Sequence, residues 1–308
     1  MKSTLLATAA AVGLLAVPHA AFASPPDRGF VEANIGFGWT DEDSFDGNWR
    51  PFDDPFDFGA KTRWLFPLSE RVHIQGDLFA ERLNSVFHGG EGGFPQEDSS
   101  LLGGTVHVIH PMDNGRVGVA GSLYSLDAVG PFVGKGAHAN VDYGLVALEG
   151  QYFLDRWTFF GQGGWFGDVA GCDGREGCVH DGVFFRANAS YFFTPNSALT
   201  FDGNLLWGDD EVFGDVSGGT ARLEGEYKFT DSCFSGFVGL SYEHEEVDVA
   251  LGSAGEDTTT LDLGIRIYLD QSSLMDHSQK GPSMNTPTFH HMLTSEGTLQ
   301  IQAFEENF

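Results

Sequence analysis

The sequence predicts an all-β protein, a transmembrane antiparallel up-and-down β-barrel of about 12 strands, and three observations lead to this prediction. From residue 30 onward, short segments of alternating apolar and polar residues recur, and each ends in Gly, Pro, Asp or Asn. Short and long connections alternate between these segments. Tryptophans lie near the segment ends, on the face that carries the apolar residues.

The N-terminal residues predict a cleaved secretory signal peptide over residues 1–23. This stretch holds a lysine at Lys2, an apolar run from Leu5 to Val17, and the site Ala21-Phe22-Ala23. A membrane-spanning helix is the alternative, but the run is shorter than the roughly 20 residues that such a helix needs. Residues 24–269 should therefore form the barrel of an exported protein.

The first five segments alternate clearly, so one face of each should meet lipid and the other the lumen. Turns at Pro67-Leu68-Ser69-Glu70 and at Pro111 to Gly115 join the second segment to the third and the fourth to the fifth. The residues predicted to face lipid are Val31, Ala33, Ile35, Phe37 and Trp39, then Phe58, Ala60, Thr62, Trp64 and Phe66, then Val72, Ile74, Leu78 and Ala80, then Val106 and Val108, and finally Val117, Val119 and Leu123.

The sixth segment, Ala139 to Phe153, alternates least clearly of all. Its two faces are nearly equal in polarity, so an error of register is expected here before anywhere else. The outward set assigned to it is Val141, Tyr143, Leu145 and Ala147.

The remaining six segments alternate plainly, and the tenth most of all. There Ala221, Leu223, Tyr227 and Phe229 alternate with Arg222, Glu224, Glu226 and Lys228, and charge at every second residue excludes a soluble core strand. The other outward sets are Trp157, Phe159 and Trp165, then Val183, Phe185, Ala187, Ala189, Tyr191 and Phe193, then Leu199, Phe201, Leu205 and Trp207, then Phe234, Val238, Leu240 and Tyr242, and finally Leu261, Leu263, Ile265, Ile267 and Leu269.

The connections predict two sides of the membrane. Short turns follow the even segments, and both ends of the barrel lie on that side, which should be periplasmic. The long loops should face the exterior, and they contain acidic clusters at Asp41 to Asp43, Asp209 to Glu211 and Glu243 to Asp248.

Aromatic residues near the segment ends are typical of interfacial girdles. A soluble β-sandwich, the alternative fold, would bury these large side chains and would not place them at strand ends. The predicted girdle consists of Trp39, Trp64, Trp157, Trp165, Trp207, Tyr191 and Tyr227.

Over roughly Phe30 to Leu269, the chain resembles the small outer-membrane porin-like β-barrel proteins of Gram-negative bacteria. The segment Asp262-Leu263-Gly264-Ile265-Arg266-Ile267-Tyr268-Leu269 resembles the last-strand assembly signal of that family. It departs from the signal in two ways: Ile267 and Leu269 stand where aromatics are usual, and further residues follow. The resemblance implies an outer-membrane location, contact with outer-membrane lipids, and recognition by the barrel-assembly machinery.

The net charge of -28 argues against a nucleic-acid partner, since only 16 Lys and Arg residues are present to displace counterions. The sequence does not predict an oligomeric state. No cofactor is expected.

Two loop motifs have a metal-binding alternative, but neither predicts a metal site. Cys172 and Cys178 should form a disulfide in an oxidising compartment, and a metal site with His180 is the weaker alternative. The acidic loop Asp41 to Gly47 departs from a calcium loop, because Phe45 stands at a ligand position. A solvated acidic loop is the favoured interpretation there.

No catalytic site is predicted. Enzymatic barrels place a Ser/His pair on the outer wall, or Asp and His at the exterior rim. In this sequence His73 and His107 occupy strand positions predicted to face the lumen, so an outer-wall site would lack its base. His138, His244 and Asp209 lie near the rim. Because the loops there are rich in acidic residues, an Asp near a His is expected by chance and does not indicate a catalytic site.

The predicted lumen face carries charges of both signs in similar number. It should form either a narrow path for small polar solutes, mildly selective for cations because of the acidic loops, or a filled interior in an anchoring or adhesive barrel. Antiparallel pairing predicts ion pairs between Arg266 and Glu32 and between Lys61 and Asp77. The predicted lumen residues are Glu32, Lys61, Arg63, Asp77, Arg116, Arg186, Asp202, Arg222, Glu224, Glu226, Lys228, Asp262 and Arg266.

Residues 270–308 are predicted to form a polar periplasmic tail. Gly281-Pro282 and Thr286-Pro287 interrupt it, and it lacks a sustained period before Leu299, so mostly disordered chain is expected. Binding of a periplasmic partner, or entry into the lumen, is the alternative.

Overall fold

The computed structural model describes residues 28–42, 50–88, 97–128, 139–170, 179–210, 214–249 and 252–285. The predicted signal peptide, the loop with Cys172 and Cys178, the calcium-like loop from residue 43 and the chain beyond residue 285 lie outside the described residues.

Twelve antiparallel strands close into one barrel, which confirms the predicted fold. Each strand pairs with its neighbours in sequence, and β1 pairs with β12 to complete the ring. The strands are β1 Arg28–Glu42, β2 Arg50–Pro67, β3 His73–His88, β4 Glu97–Met112, β5 Gly115–Ala128, β6 Ala139–Leu154, β7 Trp157–Ala170, β8 Asp181–Thr194, β9 Ser197–Asp210, β10 Gly214–Lys228, β11 Phe234–Val249 and β12 Gly252–Tyr268.

The two ends of the barrel differ in their connections. Five short turns lie at the end where β1 begins and β12 ends, which is called the short-turn end below. The opposite end, where the longer connections lie, is called the loop end. In the part of the chain that the structure describes, one helix is present, α1 (Leu274–Lys280), and it follows β12 at the short-turn end.

The outer wall carries an apolar surface, as lipid contact requires. Exposed outer residues include Ile35, Phe37, Trp39, Val106, Val119, Leu123, Phe159, Trp165, Phe185, Phe201, Trp207, Leu223, Tyr227, Val238, Leu240, Leu263 and Ile265. In β2, Thr62, Trp64 and Phe66 share the outward register but are buried. Among the described residues, no helix combines the length and the apolar character that crossing a membrane requires.

The register of β2 against β3 differs from the predicted one by two residues. Asp77 is paired with Arg63, and Lys61 is paired with Phe79, so the predicted Lys61–Asp77 pair was wrong. The reason lies in the turn: Val72 belongs to it and not to β3, and its carbonyl accepts hydrogen bonds from the backbone N–H groups of Leu68 and Ser69, both at 3.0 Å. The predicted Glu32–Arg266 pair is present across the β1–β12 seam.

The predicted outward face of β6 was also wrong. Leu145 is 2% exposed and points into the barrel, whereas Leu148 is 67% exposed on the outside. The inward set of Val141, Tyr143, Leu145 and Ala147 packs in a buried cluster with Phe79, Leu101, Tyr124, Phe166, Phe184 and Leu206. Because both faces of β6 are apolar, alternation alone does not show which one meets lipid.

Candidate functional site in the barrel lumen

A polar cavity of about 400 Å³ lies inside the barrel. Its wall comes mainly from β1, β2 and β8 to β12, and residues that follow β12 also line it. The described lining holds eight carboxylates, Glu32, Asp57, Glu81, Asp202, Glu224, Glu226, Glu243 and Asp262, and five Lys or Arg side chains, Lys61, Arg63, Arg186, Arg222 and Arg266. The cavity wall is therefore charged throughout, with acidic groups in excess. The prediction of both signs in similar number was wrong for this cavity, because Asp57, Glu81 and Glu243 also line it.

Arg266 is the centre of the largest charge cluster on this wall. Its Nε lies 2.6 Å from Glu32 Oε2, and its Nη1 lies 2.8 Å from Glu224 Oε1 and 2.5 Å from Glu226 Oε2. The guanidinium also lies over the Phe237 ring, 4.3 Å from its centroid. One cation thus joins carboxylates of β1 and β10 across the barrel seam.

Two further arginines on this wall are paired with acids. Arg222 Nη1 lies 2.8 Å from Asp262 Oδ2, and its Nη2 lies 3.0 Å from Glu224 Oε2. Arg186 donates from Nε and Nη2 to the Asp202 carboxylate, at 3.0 and 2.8 Å. The Arg186–Asp202 pair is bidentate, and such a pair fixes side-chain geometry as well as charge.

A second polar network begins at Arg63 on the cavity wall and continues into enclosed residues of the opposite wall. Arg63 Nε donates to Asp77 Oδ2 at 2.9 Å, and His107 Nδ1 lies 2.9 Å from Glu149 Oε1. Gln162 donates to Glu149 Oε2 at 3.0 Å. The side chains of Asp77, His107 and Glu149 have no solvent exposure, so these three residues join strands and do not line the open cavity. Arg63 is the member of the network that also lines the cavity.

The buried apolar cluster around Tyr143 narrows the lumen towards the loop end. Its members come from β3 to β10, opposite the seam between β1 and β12. Open polar space is therefore concentrated on the side of β8 to β2. Sequence reasoning missed this cluster, although the apolar inner residues Phe79, Leu101 and Tyr124 are a signal for it.

Residues 270–285, called the C-terminal segment below, fold into the short-turn end of the lumen. Helix α1 begins after Ser273, whose hydroxyl accepts a hydrogen bond from the Asp276 N–H. Leu274 packs with Phe30, Phe192 and Tyr268. Met284 is fully buried with Leu65, Ile109 and Phe160. The expectation of mostly disordered chain was wrong for these residues, and they follow the alternative, entry into the lumen. Two apolar side chains anchor this otherwise polar segment there.

The barrel wall holds the C-terminal segment through its main chain. Arg116 donates to the carbonyls of Gly281 and Gln279, at 2.7 and 2.5 Å. Gln75 donates to the Met284 carbonyl at 2.7 Å and accepts from the Met284 N–H at 3.2 Å. Side-chain contacts add to these bonds, among them Arg63 to Asn285, Ser283 to Gln151, Ser278 to Thr158 and Lys228 to the Ser272 carbonyl.

The predicted site residues fall into distinct groups. Asp77 belongs to the enclosed network, Arg116 and Lys228 contact the C-terminal segment, and the other predicted lumen residues line the cavity. Of the predicted girdle, Trp39, Trp157, Trp165, Trp207 and Tyr227 are exposed, Tyr191 is half-buried and Trp64 is buried. Cys233 carries a free thiol.

A scan of protein-family models finds no match to this chain, and neither does a search of the curated proteins. Among solved structures, the barrel is similar to the COG4313 outer membrane channel from Pseudomonas putida F1, with a TM-score of 0.52 and 12% identity over 82% of this chain and 99% of that chain. The toluene transporter TodX of P. putida (TM-score 0.42, 11% identity, 81% of this chain, 91% of that chain) and OmpT, an outer membrane protein of Vibrio cholerae (0.41, 10%, 81%, 100%), are also similar. The first likeness shows that this chain has the fold of an outer-membrane β-barrel.

Proposed function

We propose that this barrel resides in the outer membrane and provides a narrow, cation-preferring passage for small polar solutes. The cavity lining is the observation that carries the proposal: it holds eight carboxylates against five lysine or arginine side chains. Fixed charge in a confined, low-dielectric passage concentrates ions of the opposite sign.

The loop end adds further negative charge to this field. Strand pairing places acidic residues side by side there, with Asp209 opposite both Asp181 and Asp215, and Asp215 opposite Asp248. The whole chain has a net charge of -28. Cations approaching from the loop end should therefore be enriched before they reach the cavity.

A transport role is proposed in preference to a catalytic one. His107 is fully buried between Asp77 and Glu149, where a substrate in the cavity does not reach it. At the loop end, His244 Nδ1 lies 2.7 Å from Asp257 Oδ1, and both side chains are exposed, an arrangement that also suits a surface ion pair.

A non-conducting anchoring or adhesive barrel is the second candidate. Two observations favour it: the apolar cluster fills part of the lumen, and the C-terminal segment occupies the short-turn end. In that case the ion pairs of the cavity would serve stability alone.

The reversal potential in a planar bilayer tests the proposal. With the purified full chain and a potassium chloride gradient, we expect a measurable current. Its reversal potential should have the sign that selectivity for potassium over chloride produces. Higher salt should weaken the selectivity, because screening at about 0.1 M acts over roughly 10 Å. Anion selectivity would contradict the role given to the acidic lining. Absence of current from the full chain and also from a chain ending at Leu269 would favour the anchoring alternative.

A further inference from the structure

We infer that the C-terminal segment, residues 270–285, is an intramolecular plug that closes the short-turn end reversibly and so controls passage through the barrel. This inference rests on the proposed function, because a plug controls passage only where a passage exists.

The segment crosses the mouth of the barrel and does not lie along one wall. It contacts β1 through Arg28, β3 through Gln75, β5 through Arg116 and β7 through Thr158. On the far side Met275 donates its N–H to the carbonyl of Pro195, in the turn between β8 and β9. Contacts on opposite walls mean that the segment spans the opening.

The same segment forms the floor of the polar cavity. Its residues Leu274, His277, Ser278, Pro282, Ser283 and Asn285 line the cavity together with the charged wall residues. A solute that enters from the loop end and reaches this floor therefore meets the segment before the short-turn end.

The contacts that seat the segment are few compared with those that close the barrel. Leu274 and Met284 are its fully buried apolar anchors, and α1 is seven residues long, shorter than a helix that is stable alone. Most of the remaining contacts are polar bonds that water can replace, including the paired bonds from Gln75 and Arg116 to the main chain of the segment. Every strand, by contrast, is paired on both sides. The segment should therefore unseat without unfolding of the barrel.

His277 should make this seating depend on pH. Its ring lies between Phe30 and Tyr268, with centroids 5.8 and 4.6 Å away, and neither ring nitrogen has a hydrogen-bond partner in the described structure. Burial lowers the pKa of His277 below its usual 6.5. Asp270, 3.9 Å from His277 Nδ1, is the facing acid, and Arg28 and Arg63 are the facing cations.

The sign of the pH effect follows from that lowered pKa. Above pH 6.5 the imidazole is neutral whether the segment is seated or not, and below it only the unseated form takes up the proton readily. Acidification from pH 7.5 to 5 should therefore raise the conductance. Although burial raises the pKa of Asp270, contacts with His277, Ser272 and Arg28 lower it to about 2, so it stays ionised in this range. The variant His277→Phe should lose the response, and an unchanged response would contradict this role.

A reversible disulfide tests the plug directly. Ser278 Oγ lies 3.1 Å from Thr158 Oγ1, and cysteine sulfurs at both positions would occupy the places of these oxygens. The variant Thr158→Cys/Ser278→Cys would be made in a background with Cys172, Cys178 and Cys233 changed to Ser. The single variants Thr158→Cys and Ser278→Cys are the matched controls.

We expect the oxidised double variant to lose its channel openings and to regain them after reduction, with no redox response in either control. Equal conductance of the cross-linked and reduced forms would overturn the plug while leaving the channel in place. Failure of the cross-link to form in a folded barrel would also overturn it, because the two side chains would then not meet. Silence of both forms and of a chain ending at Leu269 would overturn the proposed function itself.

Discussion

The variant Arg266→Met should lower the free energy of unfolding by about 3–5 kcal/mol, the cost typical of removing one partner from a buried charge cluster. Glu32, Glu224 and Glu226 share this one guanidinium, within 2.6, 2.8 and 2.5 Å. Its loss would leave three carboxylates close together in a largely enclosed site. Their mutual repulsion acts at the seam where β12 meets β1.

Urea unfolding of the protein folded in lipid vesicles measures this change. Arg156→Met is the matched control, since Arg156 is exposed and donates one bond to the Phe193 carbonyl. Arg266→Lys keeps the charge but loses the planar guanidinium group. Its free energy of unfolding should therefore lie between those of Arg266→Met and Arg156→Met. A stability of Arg266→Met within about 1 kcal/mol of the parent would show that the cluster adds no more than a surface ion pair.

The variant Arg116→Met should raise the open probability of the channel about tenfold or more. It removes two charge-assisted hydrogen bonds, to the carbonyls of Gly281 and Gln279. Such bonds contribute about 1.5–3 kcal/mol each, and about 1.4 kcal/mol corresponds to a factor of ten. Those carbonyls can accept from water once the segment leaves the wall, so the unseated state gains population.

Single-channel recording measures this effect, with Arg156→Met again as the control. The Arg116→Met change would also be placed in a chain that ends at Leu269. There it should have no further effect, because the segment that it releases is already absent. An equal increase in both backgrounds would mean that Arg116 acts on the barrel wall and not on the plug.

Alternation along the sequence was sufficient to predict the strands and the seam. In β10, charge at every second residue leaves one possible orientation, and the pairing of Arg266 with Glu32 follows from antiparallel closure. In β6 the same reasoning fails, because Tyr143 and Leu145 face an apolar cluster inside the barrel while Leu148 faces outward. Alternation with a period of two separates the two faces of a strand, but it does not show which face meets lipid and which meets the lumen.

The plug was not predictable from local pattern. Its anchors, Leu274 and Met284, are isolated apolar residues in a polar stretch. The wall residues that hold it lie far away in sequence, and Gln75 and Met284 are separated by 209 in residue number. Arg116 and Gln75 occupy lumen-facing positions of their strands, which places them inside the barrel but does not indicate what they bind.

The conductance of a chain ending at Leu269, compared with that of the full chain in the same bilayer, tests both the channel and its plug. If heating shifts the electrophoretic mobility of the shortened chain as it shifts that of the full chain, the shortened chain still forms a complete barrel. We predict larger and more persistent cation-selective openings in the shortened chain. Equal conductance of the two chains would contradict the plug, and silence of both would contradict the channel.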